Sequence, residues 1–363
     1  MSDVGWVEAS ARDVGMDPAG LERAVALVSA RGASAQLCIL RDDQVVLDRS
    51  FGCESDALFW TFSVSKPFIA LAVHLLAERG MLTLDDPVAQ HWPEFALNGK
   101  DRITVRHVLT HRAGIPFASG GLLGDVAAMA DWDRSIALAE NATPWWPAGR
   151  VVGYHILTYG FVLGEVVRRV SGMPVRDFVD TNLLAPLGLR DIELGLADAN
   201  WARHVPLRGQ VMTDQVRRVV FNRRNVRQAV IPAASISATA RALAAFYQML
   251  LAGGEVDGVR VLQPETIEEA RRISSDGEVD QLMHRPVRWA QGFQLGGPAG
   301  ARRPTGTRSD PRTFGHNGSS ICNTWADPGR GLVFAYLTNL AAPRRTSLRH
   351  NADLSDALLD ACS

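Results

Sequence analysis

The chain has 363 residues, of which 47% are hydrophobic and 21% charged, a composition that excludes disorder, a collagen-like repeat and a coiled coil. Lys and Arg number 38 against 39 Asp and Glu, so the formal net charge of -1 predicts neither a nucleic-acid partner nor an anionic membrane partner. A small-molecule partner is the better expectation.

The spacing of the cysteines and the length of the apolar runs bear on metal sites and on membrane association. Cys38, Cys53, Cys322 and Cys362 are scattered, which predicts reduced residues and no zinc site. The first ten residues contain no basic segment followed by an apolar run. No stretch reaches the roughly 18 consecutive apolar residues that a membrane helix needs. We therefore expect a cytoplasmic protein without a membrane partner.

The N-terminal part of the chain has helix and strand patterns in turn. Apolar spacing predicts a helix over residues 17–31, and two alternating runs around a polar bend predict a β-hairpin over residues 35–52. An apolar-periodic helix is predicted over residues 62–79. Pro67 lies in its first turn, where proline is tolerated, and Gly80 ends it.

The middle of the chain is mostly helical, and strand patterns return near the C-terminus. Apolar periodicity predicts helices over residues 104–110, 157–170, 175–184, 239–252 and 264–273. Residues 254–262 form a hairpin-like run. The alternating runs RWAQGFQL, TFGHNGSS, ICNTWAD and GLVFAYLTN predict strands, and a last helix begins near Ser347. Strands at both ends predict an α+β fold, with one antiparallel sheet flanked by helices and a mostly helical region inserted.

The strongest local signal is Ser63-Val64-Ser65-Lys66 at the start of the helix predicted over residues 62–79. Residues three apart lie on one helix face, so a lysine of lowered pKa can take the proton of Ser63. Lys66 and Lys100 are the two lysines of the chain, which makes the pairing notable. The pattern is typical of nucleophilic acyl chemistry. The alternative is a solvated serine and lysine.

Two later segments offer partners for this pair. Tyr154 follows the turn Pro147-Ala148-Gly149, and its phenol is a candidate proton shuttle. The alternative is a packed tyrosine with its hydroxyl satisfied. His316-Asn317-Gly318-Ser319 lies within a predicted strand, where Gly318 permits close approach of a substrate.

In this order, Ser63-x-x-Lys66, the tyrosine after the Pro-x-Gly turn and the His-x-Gly of a late strand resemble the serine β-lactamase and penicillin-binding-protein superfamily. The chain is most similar to the class C β-lactamase-like branch, which includes family VIII carboxylesterases. Segments such as ITVRHVLTHRAGIP, LLAPLGL and GHNGSSICNTWADPGRGLVFAYLTN extend the resemblance along nearly the whole chain. The resemblance implies a β-lactamase/transpeptidase-like fold. We expect the sheet region to be residues 1–75 and 230–363, the helical region 76–229, and the active site the cleft between them.

The resemblance also implies roles for individual residues. Ser63 is the expected acylated nucleophile, and Lys66 and Tyr154 share the acid and base roles, with the general base left open between them. The backbone N–H groups of Ser63 and Ser319 are the expected oxyanion hole. The expected substrate-binding residues are His155, Trp289, His316, Asn317 and Gly318, with Trp289 in the core or the cleft wall.

Two departures from the family pattern bear on the substrate. Tyr154-His155-Ile156 stands where β-lactamases and D-peptidases usually have Tyr-x-Asn, so an asparagine amide for the substrate is missing. His316 replaces the lysine of Lys-Thr-Gly, which removes a permanent cation. Together these changes favour a neutral ester over a lactam or an amide.

Two further groups of residues have simpler interpretations. His107 and His111 are spaced i, i+4, but the resemblance makes His111 a structural partner of its loop, so no metal and no cofactor are expected. Five arginines, predicted to lie in a loop, are expected to form a solvated face: Arg217, Arg218, Arg223, Arg224 and Arg227. The alternative is that they steer a carboxylated or phosphopantetheine-bearing substrate.

The predicted function is therefore a serine hydrolase, a carboxylesterase that cleaves small acyl esters through a Ser63 acyl-enzyme. The first alternative is a biosynthetic acyltransferase, since the same acyl-enzyme can pass its acyl group to an alcohol or amine. A β-lactamase or D-amino-acid amidase is a second alternative. A non-catalytic acyl-ligand sensor ranks last, because Ser63, Lys66 and Tyr154 are all present.

Overall fold

The computed structural model describes residues 7–210, 218–297 and 303–362. Its main sheet has seven strands. Their spatial order is Val7–Glu8, Gln44–Phe51, Ala35–Arg41, Leu332–Thr338, Cys322–Asp327, Phe314–Gly318 and Gln294–Leu295. Val7–Glu8 pairs in parallel with Gln44–Phe51, and the other neighbours pair antiparallel. The predicted α+β class with an antiparallel sheet from both ends of the chain is confirmed.

Helices cover both faces of this sheet. On the Ala35–Arg41 strand, Leu37 and Ile39 pack into one apolar cluster while Cys38 and Leu40 pack into the other, as the two-residue period of a strand requires. The first cluster includes residues of the terminal helices Pro18–Ser29 and Arg344–Ala361. The second includes the inner helices, so the sheet is the middle of three layers.

The remaining helices build the inner layer and the side of the molecule next to it. The described residues include the α-helices Pro18–Ser29, Lys66–Glu78, Val88–His91, Val105–Leu109, Leu122–Ala128, Trp132–Asn141, Thr158–Ser171, Val175–Val179, Arg224–Gln228, Ala240–Leu251, Pro264–Ala270 and Arg344–Ala361. Shorter helical turns are Phe62–Ser65, Pro93–Gly99, Asp180–Leu184, Ala185–Leu187 and Asp198–Arg203. Within the described ranges, none of the helices combines the length and the apolar character that a membrane-spanning segment requires.

Within the described ranges, four small sheets accompany the main sheet. One has three strands, Phe59–Trp60, Ile236–Ala238 and Ile192–Leu194, and it fixes the chain just before Ser63. The others pair Val279–Asp280 with Arg285–Pro286, Leu340–Ala341 with Arg208–Gly209, and Glu255–Val256 with Val259–Arg260. The last pair confirms the hairpin predicted over residues 254–262. The strand Ile192–Leu194 was not predicted, because three residues are too few for an alternation to be recognised.

Two predicted helix starts differ from the structure by more than one residue. The helix predicted over residues 62–79 is a 3₁₀ turn, Phe62–Ser65, followed by the α-helix Lys66–Glu78. Phe62 has a φ of 53°, outside the helical range, so the α-helix begins only after the turn. The last helix begins at Arg344, three residues before the predicted start.

The prediction of a solvated arginine face was wrong for Arg227. Its side chain is buried beside the ring of Trp60, with the guanidinium carbon 5.4 Å from the ring centroid. Its guanidinium donates to the carbonyls of Phe221 at 2.6 Å and Val205 at 3.0 Å. Arg227 therefore belongs to the core, where a guanidinium that can satisfy several carbonyls is tolerated. Arg217 of the same cluster lies outside the described residues.

Candidate active site

Ser63 lies on a tight turn whose other residues are buried. Within the turn Phe62–Ser65, the Ser65 hydroxyl donates to the carbonyl of Phe62 at 2.6 Å and accepts from the backbone N–H of Ile236 at 3.0 Å. Phe62, Val64 and Ser65 are buried, whereas Ser63 is partly exposed. The hydrogen bonds of Ser65 therefore hold the buried side of the turn, and Ser63 lines a cavity on its other side.

Lys66 begins the helix after this turn and is fully buried. Its Nζ donates to the carbonyls of Ile156 at 2.7 Å and Ala233 at 3.4 Å. No carboxylate forms an ion pair with it within the described part of the chain. Burial therefore lowers the pKa of Lys66 well below its ordinary value, because a buried ammonium loses hydration. A neutral amine at this position can accept a proton.

Tyr154 joins Ser63 and Lys66. A side-chain hydrogen bond connects it to Ser63, and its ring centroid lies 4.7 Å from the Nζ of Lys66. The ring stacks on Trp289 at 5.2 Å with the planes 6° apart. Burial raises the pKa of Tyr154, an effect that the charge of Asp280 reinforces and the hydrogen bond to Ser63 opposes. Tyr154 is therefore a protonated phenol at neutral pH.

Asp280, which the sequence analysis did not single out, supports Tyr154 and the neighbouring Trp289. Its buried carboxylate accepts from the backbone N–H of Tyr154 at 3.1 Å and from the indole N–H of Trp289 at 3.0 Å. It also accepts from the backbone N–H groups of Leu282 and Met283, both at 2.9 Å. No local sequence motif identifies this aspartate, because its hydrogen bond to Tyr154 joins residues that are 126 positions apart in the sequence.

The strand Phe314–Gly318 forms the opposite side of the site. A Cβ on Gly318 would lie 1.9 Å from the carbonyl oxygen of Thr61, so glycine allows this strand to contact the chain that leads into Ser63. The sequence analysis predicted the close approach of a substrate at Gly318, whereas the contact that the structure shows there is between two backbone segments. After the strand, Ser319 and Ser320 have φ values of 54° and 60° and turn the chain along the cavity.

His316 is buried on the same strand. Its Nδ1 lies 2.8 Å from the carbonyl oxygen of Asn317, while its Nε2 has no hydrogen-bond partner within the described part of the chain. Burial, with a smaller effect of the Lys66 charge, lowers the pKa of His316 to about 3. The imidazole is therefore neutral at pH 7, consistent with the loss of a permanent cation inferred from the sequence.

Two of the expected substrate-binding residues lie behind the cavity wall. His155 is buried, its Nε2 accepts from the backbone N–H of Ile115 at 3.1 Å, and its Nδ1 lies 2.7 Å from the carbonyl oxygen of Gly153. Trp289 is also buried and supports the ring of Tyr154. Neither residue lines the cavity, and neither do His316 and Gly318, whereas Asn317 does. His155 and Trp289 therefore contact the loops that hold the site.

The cavity in front of Ser63 has a volume of about 460 Å³. Its apolar part is lined by Leu122, Leu123, Val126, Leu157, Val220 and Phe221. Ser63, Tyr154 and Ser319 open into the same space, and Arg285 and Arg344 lie on its wall. A hydroxyl nucleophile, a phenol and an apolar pocket in one cavity suit acyl transfer from a substrate with a hydrocarbon portion.

Comparisons with known proteins show which family the chain resembles over most of its length. The Beta-lactamase family model matches residues 21–357. The chain is 31% identical over 315 residues to "Esterase/beta-lactamase LipL" of Mycobacterium tuberculosis (strain ATCC 25618 / H37Rv), covering 78% of this chain and 70% of LipL. A solved family VIII carboxylesterase is 27% identical with a TM-score of 0.79, covering 93% of this chain and 97% of that one. EstA from Arthrobacter nitroguajacolicus Rue61a is 27% identical with a TM-score of 0.78, covering 95% and 98%.

Proposed function

The chain belongs to the beta-lactamase family and is a serine hydrolase, and we propose that it cleaves small acyl esters through an acyl-enzyme on Ser63. The observation that carries the proposal is the hydrogen-bonded pair of Ser63 and Tyr154 beside a buried lysine, at the edge of an apolar cavity. The names of similar proteins, an esterase/beta-lactamase and a carboxylesterase, support the same chemistry.

Acylation begins with proton removal from Ser63. The neutral amine of Lys66 takes the hydroxyl proton as Oγ attacks the ester carbonyl carbon, forming a C–O bond and an oxyanion. The backbone N–H groups of Ser63 and Ser319 stabilise this oxyanion, and two such donors supply most of the stabilisation in comparable sites. The lowered pKa of Lys66 supports its role as the base, because an ammonium has no free electron pair.

The intermediate then collapses. The bond between the carbonyl carbon and the leaving oxygen breaks, and the phenol of Tyr154 gives its proton to the leaving alkoxide. Lys66 returns a proton to Tyr154. Water attacks the acyl-enzyme by the same route in reverse, so the acid is released and Ser63 regains its proton. The raised pKa of Tyr154 supports this assignment, because a phenol that stays protonated at neutral pH can act as the acid.

The site also bears on why an ester is favoured over a lactam or an amide. The Nζ of Lys66 donates to the backbone carbonyl of Ile156, two residues after Tyr154, where the family pattern would supply an asparagine amide. Ile156 lines the cavity at this position, and its aliphatic side chain cannot hydrogen-bond a substrate amide. An ester needs no donor or acceptor for an amide N–H.

The test compares 4-nitrophenyl butyrate with nitrocefin on the purified protein, on Ser63→Ala and on Ser29→Ala, a control at an exposed serine. We expect Ser63→Ala to lower ester turnover by about 10³-fold or more, because the nucleophile is gone. Ser29→Ala is expected to match the unmodified protein.

Labelling with a fluorophosphonate provides a second readout. We expect the unmodified protein and Ser29→Ala to be labelled and Ser63→Ala to remain unlabelled. Equal labelling of Ser63→Ala would refute Ser63 as the nucleophile. Efficient turnover of nitrocefin without ester turnover would replace the esterase proposal with a β-lactamase.

A further inference from the structure

Arg227 is a buried cation that the proposed ester chemistry does not use. Its side chain is fully buried beside Trp60, with 5.4 Å between the guanidinium carbon and the centroid of the ring. Burial lowers the pKa of Arg227 to about 10, so the guanidinium stays charged at neutral pH. Transfer of a charged group from water into a protein core is costly. An arginine at this position therefore requires an explanation.

The hydrogen bonds of Arg227 connect it to the segment that reaches the cavity in front of Ser63. Its Nε donates to the carbonyl of Phe221 at 2.6 Å, and its Nη2 donates to the side-chain oxygen of Asn222 at 3.1 Å. Nη2 also donates to the carbonyl of Val205 at 3.0 Å. All three acceptors are neutral oxygens, and Nη1 has no hydrogen-bond partner within the described part of the chain. The guanidinium therefore joins two separate segments of the chain.

Asn222 joins the same two segments. Its side-chain oxygen accepts from the backbone N–H of Leu207 at 2.8 Å, and its side-chain amide donates to the carbonyl of Leu207 at 3.0 Å. The backbone N–H of Val205 donates in turn to the carbonyl of Leu58 at 3.0 Å, just before the strand that leads to the nucleophile. The position of Phe221 is thus fixed relative to the chain that carries the nucleophile.

The ring of Phe221 forms part of the cavity wall beside the nucleophile. Its centroid lies 5.1 Å from that of Phe62, the residue before Ser63, with the ring planes at 73°. It also lies 5.9 Å from the ring centroid of Trp60. Phe221 and Phe62 both line the cavity, as do aliphatic side chains such as Val126. A shift of Phe221 would therefore change the shape of the apolar space next to the nucleophile.

We propose that Arg227 is a positioning residue that holds Phe221 against Phe62, and that the two rings limit the length of the acyl chain at the nucleophile. The acyl chain is placed on this side because the leaving group must reach the phenol of Tyr154, which stacks on Trp289. An apolar pocket of fixed size discriminates between chains by the methylene groups that it can hold. The substrates are then esters of short-chain acids. This inference rests on the proposed function and adds the chain length to it.

Two pairs of esters measure the chain length accepted on each side of the substrate. For the acyl side, 4-nitrophenyl octanoate is compared with 4-nitrophenyl butyrate. For the alcohol side, octyl acetate is compared with butyl acetate. In each pair the esters differ only in chain length, so the ratio of kcat/KM for the long ester to that for the short one measures selectivity. Loss of folded protein lowers both values equally and leaves the ratio unchanged.

Phe221→Ala removes the ring, and Arg227→Met replaces the cation that holds it by an apolar side chain. In the unmodified protein we expect the acyl ratio to be below 1. Phe221→Ala is expected to raise this ratio by about tenfold or more, because the pocket can then hold further methylene groups. Arg227→Met is expected to raise it by about threefold or more, since Phe221 keeps its ring but loses a hydrogen bond that positions it. The alcohol ratio should not change.

The matched controls are Val219→Ala and Arg224→Met. Val219 is exposed and lies outside the cavity wall formed by the described residues. Arg224 is exposed in the same helix as Arg227 and forms an ion pair with Asp198. Both variants are expected to leave the acyl ratio unchanged.

The outcomes separate this inference from the proposed function. Absence of Ser63-dependent turnover of 4-nitrophenyl butyrate refutes the proposed function. Turnover with an acyl ratio above 1 in the unmodified protein, or with a ratio that Phe221→Ala leaves unchanged, refutes the limit on the acyl chain alone. A change confined to the alcohol ratio refutes the placement of the acyl chain.

The role of Arg227 has its own outcome. An acyl ratio that rises in Phe221→Ala but not in Arg227→Met shows that Arg227 does not position Phe221. Melting curves identify a variant that fails to fold. If Arg227→Met does so, Arg227→Lys takes its place, because a lysine ammonium keeps the charge but lacks the guanidinium fork that joins the carbonyls of Phe221 and Val205. Its acyl ratio is expected to rise as well, and an unchanged ratio would contradict the positioning role.

Discussion

At the scale of single residues, Asp280 determines the position of Tyr154. The carboxylate binds the backbone of Tyr154 and the indole of Trp289, and that indole ring stacks on the phenol. A buried carboxylate with four donors is well satisfied, so it restrains both neighbours in one geometry. Its negative charge also raises the pKa of Tyr154. Asp280 is therefore a positioning residue with an electrostatic effect on the phenol.

Asp280→Asn tests this role. An amide cannot accept the four hydrogen bonds of the carboxylate in the same arrangement, so we expect Tyr154 and Trp289 to shift. We expect kcat to fall by about tenfold, with a smaller change in KM, because misplacing a catalytic group affects the chemical step. The measurement is the separate determination of kcat and KM for ester hydrolysis.

Asp276→Asn is the matched control, since Asp276 forms a surface ion pair with Arg288. It should leave both kcat and KM unchanged. If Asp280→Asn lowered the melting temperature without lowering kcat, Asp280 would have a purely structural role.

At the scale of elements, the site depends on the contact between the strand Phe314–Gly318 and the turn Phe62–Ser65. Gly318 lies where an added Cβ would meet the Thr61 carbonyl oxygen at 1.9 Å and the Phe62 Cβ at 3.2 Å. Thr61 cannot retreat easily, because its backbone N–H and its hydroxyl both donate to the carbonyl of Ile236, each at 2.9 Å. The separation between the strand and the turn is therefore set by glycine.

Gly318→Ala should force the strand and the turn apart. We expect a loss of about 1–3 kcal/mol in the free energy of unfolding, as overpacking typically costs, together with a large loss of ester hydrolysis. Urea unfolding and kcat/KM measure the two effects.

The control is Gly121→Ala, because a Cβ on Gly121 would meet nothing within 4 Å and its φ of -178° suits any residue. Its free energy of unfolding should change little. Full stability and activity of Gly318→Ala would show that the strand position is adjustable.

At the scale of the whole molecule, burial of neutral histidines connects stability to pH. His74, His155 and His316 are buried in the inner layer and around the site. Burial lowers the pKa of His74 and His155 to about 4 and that of His316 to about 3. In the unfolded chain each would titrate near 6.5. Between these values the unfolded state binds more protons, so acid favours unfolding.

We therefore expect the free energy of unfolding to fall as the pH decreases from about 6.5 to 4. Each buried histidine contributes up to about 1.4 kcal/mol per pH unit. Urea unfolding at a series of pH values measures the slope. His74→Leu should reduce it, because one titrating group is removed, whereas His284→Asn, at an exposed histidine, should not. A slope that is the same with and without His74 would contradict this account.

Local sequence patterns determined the antiparallel α+β fold, most helix positions and the Ser63-x-x-Lys66 pair, because periodicity and spacing act over a few residues. The relation of that pair to Tyr154 and the role of Asp280 in holding Tyr154 were decided by the tertiary structure. The hydrogen bond between Tyr154 and Asp280 joins residues 126 positions apart in the sequence, and the one between Ile236 and Ser65 joins residues 171 positions apart. The burial of Arg227 and the pKa shifts of Lys66 and His316 depend likewise on neighbours from distant segments. Desolvation and packing are properties of the assembled core, so no local pattern contains them.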